Sequence, residues 1–495
     1  MTTPFRRLHP ASLLFGALSV LRGFLLPAVV VVVLGRGRGG ELWLALLALP
    51  AAVAAVVRYL SYSFALGDDE LVIREGVFHR KERHIPYQRI QSLDTTRGPL
   101  HRLLGVADLS VQTASGAEAE AVMRVLSLAA IEAMRRHVFE RRAALAQDVS
   151  DKGKPAVGVA ADHAVVARAS TADLVRLGLI ANRGMVALAA VTGVVWQLDL
   201  VPDEAELLRR LGEQLPGVEL GLPLHAAMVI TVTLAAAFVL LRLLSVGWSL
   251  VSLHGFELAR HDDELRTRFG LLTQRTLTIP RHRIQLVEIE QGVLHRLLGR
   301  HSVRARTAGA VAQDQSGAGR DWLHPVADAR TLVEVLAAAR DDLELAAVRW
   351  RPVAAGAAAR RARVLSARAL AVLAAIALTL DPRLLLLTPL VVAGAVFVAR
   401  RQIALLGWAV TPTAVWLRWG WLRRRIRAVP VSKVQSTAVA ESPFDRRRGM
   451  ATLELDTANA GMMGAAIRIP YLERELAGEL WADLAERAAR TRFRW

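Results

Sequence analysis

Ile85-Pro86-Tyr87-Gln88-Arg89-Ile90-Gln91, with Leu100-His101-Arg102-Leu103-Leu104-Gly105 shortly after it, recurs as Ile279-Pro280-Arg281-His282-Arg283-Ile284-Gln285 with Leu294-His295-Arg296-Leu297-Leu298-Gly299. Aligned without gaps, segments 85–105 and 279–299 are identical at 12 of 21 positions. A third copy reads Val429-Pro430-Val431-Ser432-Lys433-Val434-Gln435 and closes with Phe444-Asp445-Arg446-Arg447-Arg448-Gly449. The same offsets of 194 and 150 residues superpose Gly76, Gly270 and Gly420, and also Thr113, Thr307 and Thr457. In the first two copies Asp68-Asp69-Glu70-Leu71 falls on Asp262-Asp263-Glu264-Leu265. Chance does not produce such a register, so one unit occurs three times in the 495 residues.

Each unit carries strand signals. Glu70 to Glu75 and Val77 to Ile85 are short alternating or β-branched segments around Gly76, the pattern of a hairpin whose turn needs positive φ. Gly270 and Gly420 are flanked in the same way, and Leu109–Thr113, Val303–Thr307 and Leu453–Thr457 give a later strand. Val122–Ala146, Ala327–Ala346 and Tyr471–Arg490 read as closing helices; Leu472, Leu476, Leu480, Leu484 and Ala488, four apart, line one face.

Between these units the composition changes. Hydrophobic residues are 53% of the chain while charged residues still reach 22%, so apolar and basic segments alternate. A membrane helix needs about 20 mostly apolar residues. Ala11 to Leu34, with Arg22 as its only charge, and Leu42 to Val57 form one apolar pair; Gly184–Leu198 and Leu224–Gly247 form a second; Ala369–Leu380 and Leu384–Ala399 a shorter third. The first run is too long for a secretory signal and is read as an uncleaved helix. The expected organisation is a transmembrane hairpin at 11–60, globular domain 61–147, linker 148–173, hairpin 174–248, domain 249–347, basic linker 348–366, hairpin 367–400 and domain 401–495. Arginines cluster at the hairpin bases, including Arg58, Arg176, Arg183, Arg242, Arg360, Arg361, Arg400 and Arg401, while the connecting tips together carry −3. Retention of positive flanks predicts that the three domains and both termini face the cytoplasm.

A membrane hairpin followed by Ile-Pro-x-x-(Arg/Lys)-(Ile/Val)-Gln, with Leu-Gly some fifteen residues on, resembles the bacterial pleckstrin-homology-like domains of the YdbS/YdbT membrane protein type. The likeness covers all three units and is weakest in the third, where Arg447 and Arg448 stand for the leucine pair. It implies that each of the three transmembrane hairpins read from the apolar runs, six helices in all, is followed by a PH-like antiparallel β-barrel or sandwich with a C-terminal helix, set on the cytoplasmic face of a bacterial inner membrane. It also implies no catalytic activity, and supplies no ligand.

The residues themselves offer little chemistry. There is no cysteine, which removes disulfides and thiolate sites. Gly35-Arg36-Gly37-Arg38-Gly39-Gly40 matches a dinucleotide-binding spacing but joins two apolar runs and reads as a turn. No P-loop or zinc-type spacing occurs, so no cofactor, metal or catalytic residue is expected. The formal charge of +18 follows from membrane topology rather than nucleic-acid binding. Two repeated basic positions, Arg89/Arg283/Lys433 and Arg102/Arg296/Arg446, are candidates for anionic headgroups. The competing reading is local: such side chains cap carbonyls or pair with carboxylates to shape a loop. Trp419 and Trp421 beside Arg423, Arg424 and Arg425 form a second candidate, unique to the third unit and suited to the membrane interface. The expected function is a non-catalytic scaffold binding anionic lipid or membrane proteins, serving envelope stress defence or antimicrobial resistance. The alternative, motivated by Arg22 and Arg242 within apolar runs, is a transport or export component.

Overall fold

The structure is a computed structural model and describes residues 5–16, 18, 53, 56, 57, 59–76, 80–113, 121–148, 164–181, 223–307, 322–458 and 466–490. Most of the first expected hairpin, with Arg22, and the first helix and tip of the second lie outside the described residues.

In the first unit β1 (Arg6–Arg7), β2 (Ser63–Leu66), β3 (Glu70–Glu75) and β4 (Lys81–Pro86) form one antiparallel sheet, and β5 (Ile90–Arg97), β6 (Val106–Thr113) and β7 (Ala121–Ser127) a second meander. The second unit repeats this with β8 (Ala164–Arg168), β9 (Glu257–His261), β10 (Glu264–Phe269), β11 (Gln274–Pro280), then β12 (Ile284–Gln291), β13 (His301–Thr307) and β14 (Trp322–Ala327). The third has β15 (Gly407–Val410), β16 (Ala414–Trp419), β17 (Arg424–Pro430), then β18 (Val434–Ala440), β19 (Met450–Thr457) and β20 (Ile467–Glu473). The helices are α1 (Pro99–Leu103), α2 (Leu128–Asp148), α3 (Thr171–Ile180), α4 (Pro223–Leu253), α5 (Val293–Leu297), α6 (Ala329–Ala339), α7 (Ala357–Thr379), α8 (Thr388–Ala404), α9 (Pro443–Arg446) and α10 (Arg474–Arg490).

The repeated motif is the corner between the two meanders. Pro86, Pro280 and Pro430 each end a strand in extended backbone, a three-residue 3-10 turn follows, and the next strand starts at Ile90, Ile284 or Val434. Proline suits this site because its fixed φ matches the entry to the turn. The flanking Ile85/Ile90, Ile279/Ile284 and Val429/Val434 are buried and tie both meanders to one core. The hairpin glycines are equally constrained: Gly270 has φ +111, and a Cβ there would lie 2.1 Å from the Thr273 carbonyl oxygen.

Each expected closing helix starts too early. Val122, Ala327 and Tyr471 belong to the last strand of their units, and the helices begin at Leu128, Ala329 and Arg474. A bulge hides the strand: β6 and β7 shift register between Ala107 and Leu109, and Val125 and Leu126 are both buried in succession. Two adjacent buried residues break the period of two. Within 148–173, read as linker, β8 pairs with β9 and Ser170 caps α3 by a reciprocal bond with Asp173.

The three units are not separate beads. β5 pairs with β11, making one seven-stranded sheet from units one and two, and β12 pairs with β17, making a six-stranded sheet from units two and three. Apolar packing crosses the second junction too: Ala409, Ala414, Trp416 and Ala428 pack into the core of unit two, and Leu286 into that of unit three.

Among the described residues, three helical segments, Ala235–Leu253, Ala357–Thr379 and Pro382–Ala404, are long and apolar enough to cross a membrane. The last two are α7 and the segment ending in α8, joined near their bases by Arg361 Nε donating to Gln402 Oε1 at 3.0 Å. Arg242 of α4 donates to the carbonyls of Leu179 and Ala181 at 3.0 and 3.4 Å, satisfying the C-terminal end of α3.

Candidate functional site

The closing motif Leu-His-Arg-Leu-Leu-Gly folds as a single short helix, α1 or α5, ended by a glycine in left-handed conformation, Gly105 at φ +65 and Gly299 at +61. Its leucines face outward. Leu103 is 82% exposed and Leu297 76%. In α9 the leucine pair is replaced by arginines, and Phe444 is the exposed apolar residue.

All three turns sit at the roots of apolar segments. The His101 ring lies 4.0 Å from that of Phe15, in the first apolar run. Arg300, next to Gly299, reaches Asp173 at the start of α3 at 3.4 Å. Asp445 of α9 accepts from Arg360 of α7 at 3.0 Å, and the Arg360 guanidinium stands over the Phe444 ring. The hairpin turns after Gly270 and Gly420 occupy the same side. Gly270 N donates to the His254 carbonyl and Leu271 N to that of Val251, both at 2.9 Å, at the end of α4. Trp421 packs edge-on against Phe397 of α8, 5.6 Å between centroids. Leu271, Leu272 and Leu422 are exposed on these turns. The result is a discontinuous apolar rim beside the membrane-length helices, of the kind that marks a membrane or protein contact.

The basic candidates disperse. Arg89 is exposed, with no ion pair or hydrogen bond among the described residues, whereas Arg283 is half-buried and its carbonyl accepts from Gln285. Lys433 is buried at the second junction; burial first, and Arg340 next, hold its ammonium below the ordinary lysine pKa. One repeat position thus meets three environments and forms no common site. Arg102 donates to the Leu271 carbonyl at 2.9 Å and pins unit one to unit two. Arg296 is half-buried and Arg446 exposed.

The Trp/Arg group divides as well. Trp421 belongs to the rim, but Trp419 packs against the third core with Arg427 over its ring at 5.0 Å. Arg423 and Arg425 face Glu290 at 3.6 and 2.8 Å, and Arg427 faces Glu288 at 3.5 Å. Arg304 and Arg306 close the ladder from the other side at 3.9 and 3.8 Å. Arg424 is exposed, opposite Gln291 in the strand register. Arg425 is therefore mainly a junction residue. Glu288 and Glu290 escape a reading of the sequence as junction residues because their unit-three partners Arg423, Arg425 and Arg427 lie more than 130 residues away; acids in an otherwise apolar strand were the available signal. Among the described residues no cluster of three or more His, Asp or Glu side chains is placed to hold a metal.

Comparison with known proteins agrees with this architecture. The Bacterial PH domain family matches at residues 17–142, 213–340 and 347–488, one match per unit. The UPF0699 transmembrane protein YdbT of Bacillus subtilis (strain 168) is 23% identical over 344 residues, covering 67% of this chain and 68% of that protein. No solved structure matches. With three tandem matches spanning most of its length, the chain belongs to the bacterial PH domain family.

Proposed function

We propose that the protein is a non-catalytic scaffold held in the bacterial inner membrane by three helical hairpins, with its three PH-like domains on the cytoplasmic face. The exposed leucines of α1 and α5, beside the roots of the apolar segments, carry this reading. Their apolar side chains enter the interfacial region, and exposed cations such as Arg89, Arg446 and Arg424 meet anionic headgroups. Tethering makes each weak contact sufficient by raising its effective concentration. Envelope stress defence, including antimicrobial resistance, is the physiological role that suits a scaffold at this surface. The transport reading loses one of its two motivating charges, since Arg242 is engaged by the α3 carbonyls.

The absence of native cysteine makes the test direct. A polarity-sensitive thiol dye on Leu297→Cys, in the full chain in anionic vesicles, is expected to be quenched by spin-labelled lipid and shielded from aqueous iodide. Equal iodide access at Leu297→Cys and at Arg330→Cys, a solvent position on α6, refutes the membrane contact. Orientation is tested separately by reacting Arg330→Cys, which faces solvent, in intact cells and in inverted vesicles with an impermeant maleimide.

A further inference from the structure

The two junctions between units are one junction used twice. At the first, Thr95 opposes Thr276, Thr96 opposes Arg275 and Arg97 opposes Gln274. At the second, Ile289 opposes Ile426, Glu290 opposes Arg425 and Gln291 opposes Arg424. The repeat offsets of 194 and 150 carry each pair of the first set onto the second. In both, the first strand of one unit's second meander accepts the last strand of the next unit's first meander. Three units joined this way leave one half-junction over at each end.

Those halves are β18 of unit three and β4 of unit one, each the terminal strand of its sheet among the described residues. The β18 edge is uncovered where its counterpart β12 is sealed: Val439 is 38% exposed, whereas Ile289 is 2% exposed. Ala438 and Ala440 are exposed beside it, and on β4 so are Lys81, Glu82 and His84. The capping helices confirm the equivalence. The Trp481 indole donates to the Thr437 carbonyl at 3.1 Å, and at the matching position of the first junction Arg135 donates to the Leu93 carbonyl at 2.9 Å. At that first junction strand pairing starts two residues further on, at Thr95, which corresponds to Val439.

We propose that β18 of one molecule pairs with β4 of a second copy, extending the sheet head to tail. The inherited register sets Val439 opposite Glu82, Ala440 opposite Lys81, and Glu441 opposite Arg80 of the neighbour. Ala438 then faces Arg83. The charges suit this pairing. In unit two Glu288 lies between Arg304 and Arg427. In unit three Ala438 replaces that acid, and Glu454 replaces Arg304 across the strand pair. The small alanine lets the Arg83 side chain of the incoming strand, 3.4 Å from Glu75 within its own sheet, reach over and join Arg468 at Glu454. A charged β4 deters indiscriminate apolar edges while fitting this one. The interface is heterologous, so it propagates into a ring or an open row, and confinement to one membrane face raises the encounter frequency. It does not depend on the lipid contacts of the rim.

The test uses full-length single-cysteine variants carrying different tags, co-expressed so that any mixed disulfide is intermolecular. Opposed Cα atoms in an antiparallel pair are roughly 4.5–5.5 Å apart, within disulfide range. Lys81→Cys with Ala440→Cys, and independently Arg83→Cys with Ala438→Cys, are expected to form mixed-tag dimers under mild oxidation in membranes. Glu82→Cys with Ala440→Cys is offset by one residue and points to the opposite face, so its yield should be at least about tenfold lower. Absence of mixed dimers in both in-register pairs, or equal yields in and out of register, overturns the proposal.

Discussion

Replacing Glu288 and Glu290 by glutamine removes the only two acids of the ladder at the second junction while keeping shape and strand pairing. The Glu290–Arg425 approach of 2.8 Å corresponds to a charge separation near 4 Å, worth about 4 kcal/mol at an effective dielectric of 20. Desolvating carboxylates that are only 4% and 8% exposed cancels much of that gain, leaving about 1–2 kcal/mol per acid. The discount matters because Arg423 remains largely in water. Removing both acids also leaves Arg304, Arg306, Arg423, Arg425 and Arg427 to repel one another, so the double variant should lose about 3 kcal/mol. Hydrogen exchange at the β17 amides reads this opening locally, avoiding a single melting temperature for a multi-unit chain. The expected acceleration is roughly 150-fold, with Glu290→Gln alone giving about tenfold and 0.5 M salt mimicking part of the effect. Exchange in β17 that changes less than about threefold in the double variant refutes the view that these acids hold the junction.

The second unit should weaken in acid. Burial holds the His295 imidazole down at about 4 and depresses those of His301 and His324 as well. Unfolded histidines bind protons below about 6.5, so stability present above that pH is lost as pH falls toward 4, by roughly 2 kcal/mol for His295 after the full shift of about 3 kcal/mol is discounted for solvent screening of its partly exposed ring; His295→Gln should flatten the exchange-versus-pH profile of α5 and β13, and an unchanged profile contradicts this. Gly270→Ala should cost at least about 2 kcal/mol, since its Cβ collides with the Thr273 carbonyl, whereas Gly105→Ala, also at positive φ but with open space, should cost about 1 kcal/mol; equal acceleration of amide exchange in the strands flanking the two glycines would show that the collision is relieved. Lys433→Met should leave binding to anionic vesicles unchanged and alter stability by less than about 1 kcal/mol, because the ammonium is buried beside Arg340; a severalfold loss of vesicle binding would restore Lys433 as a lipid ligand.

Much of the architecture was legible because it is written in local patterns. Threefold repetition, the hairpins around Gly76, Gly270 and Gly420, the register of Pro86, Pro280 and Pro430 and the apolar segments all depend on neighbouring residues and on steric rules that act within a few positions. The last strand of each unit was missed, since the bulge at Val125 and its counterpart at Tyr471, both at positive φ, erase the alternation that signals a strand. The binding candidates fared unevenly for a related reason. A repeated cation announces its charge but not its partner, and Arg425 and Lys433 turn inward toward groups from another unit. Composition alone cannot say which way a short helix faces, so the outward turn of the α1 and α5 leucines was not legible in the sequence.

Repetition and hydropathy are properties of the chain, so one apolar-plus-globular unit repeated three times can be read before any fold is known. The fusion of the units through β5–β11 and β12–β17 into continuous sheets, with β4 and β18 left at sheet ends among the described residues, emerges in the folded chain alone. Backbone N–H and C=O groups make those junctions, and every residue but proline carries the same pair, so side-chain identity leaves an edge's partner unspecified until the fold brings two edges together.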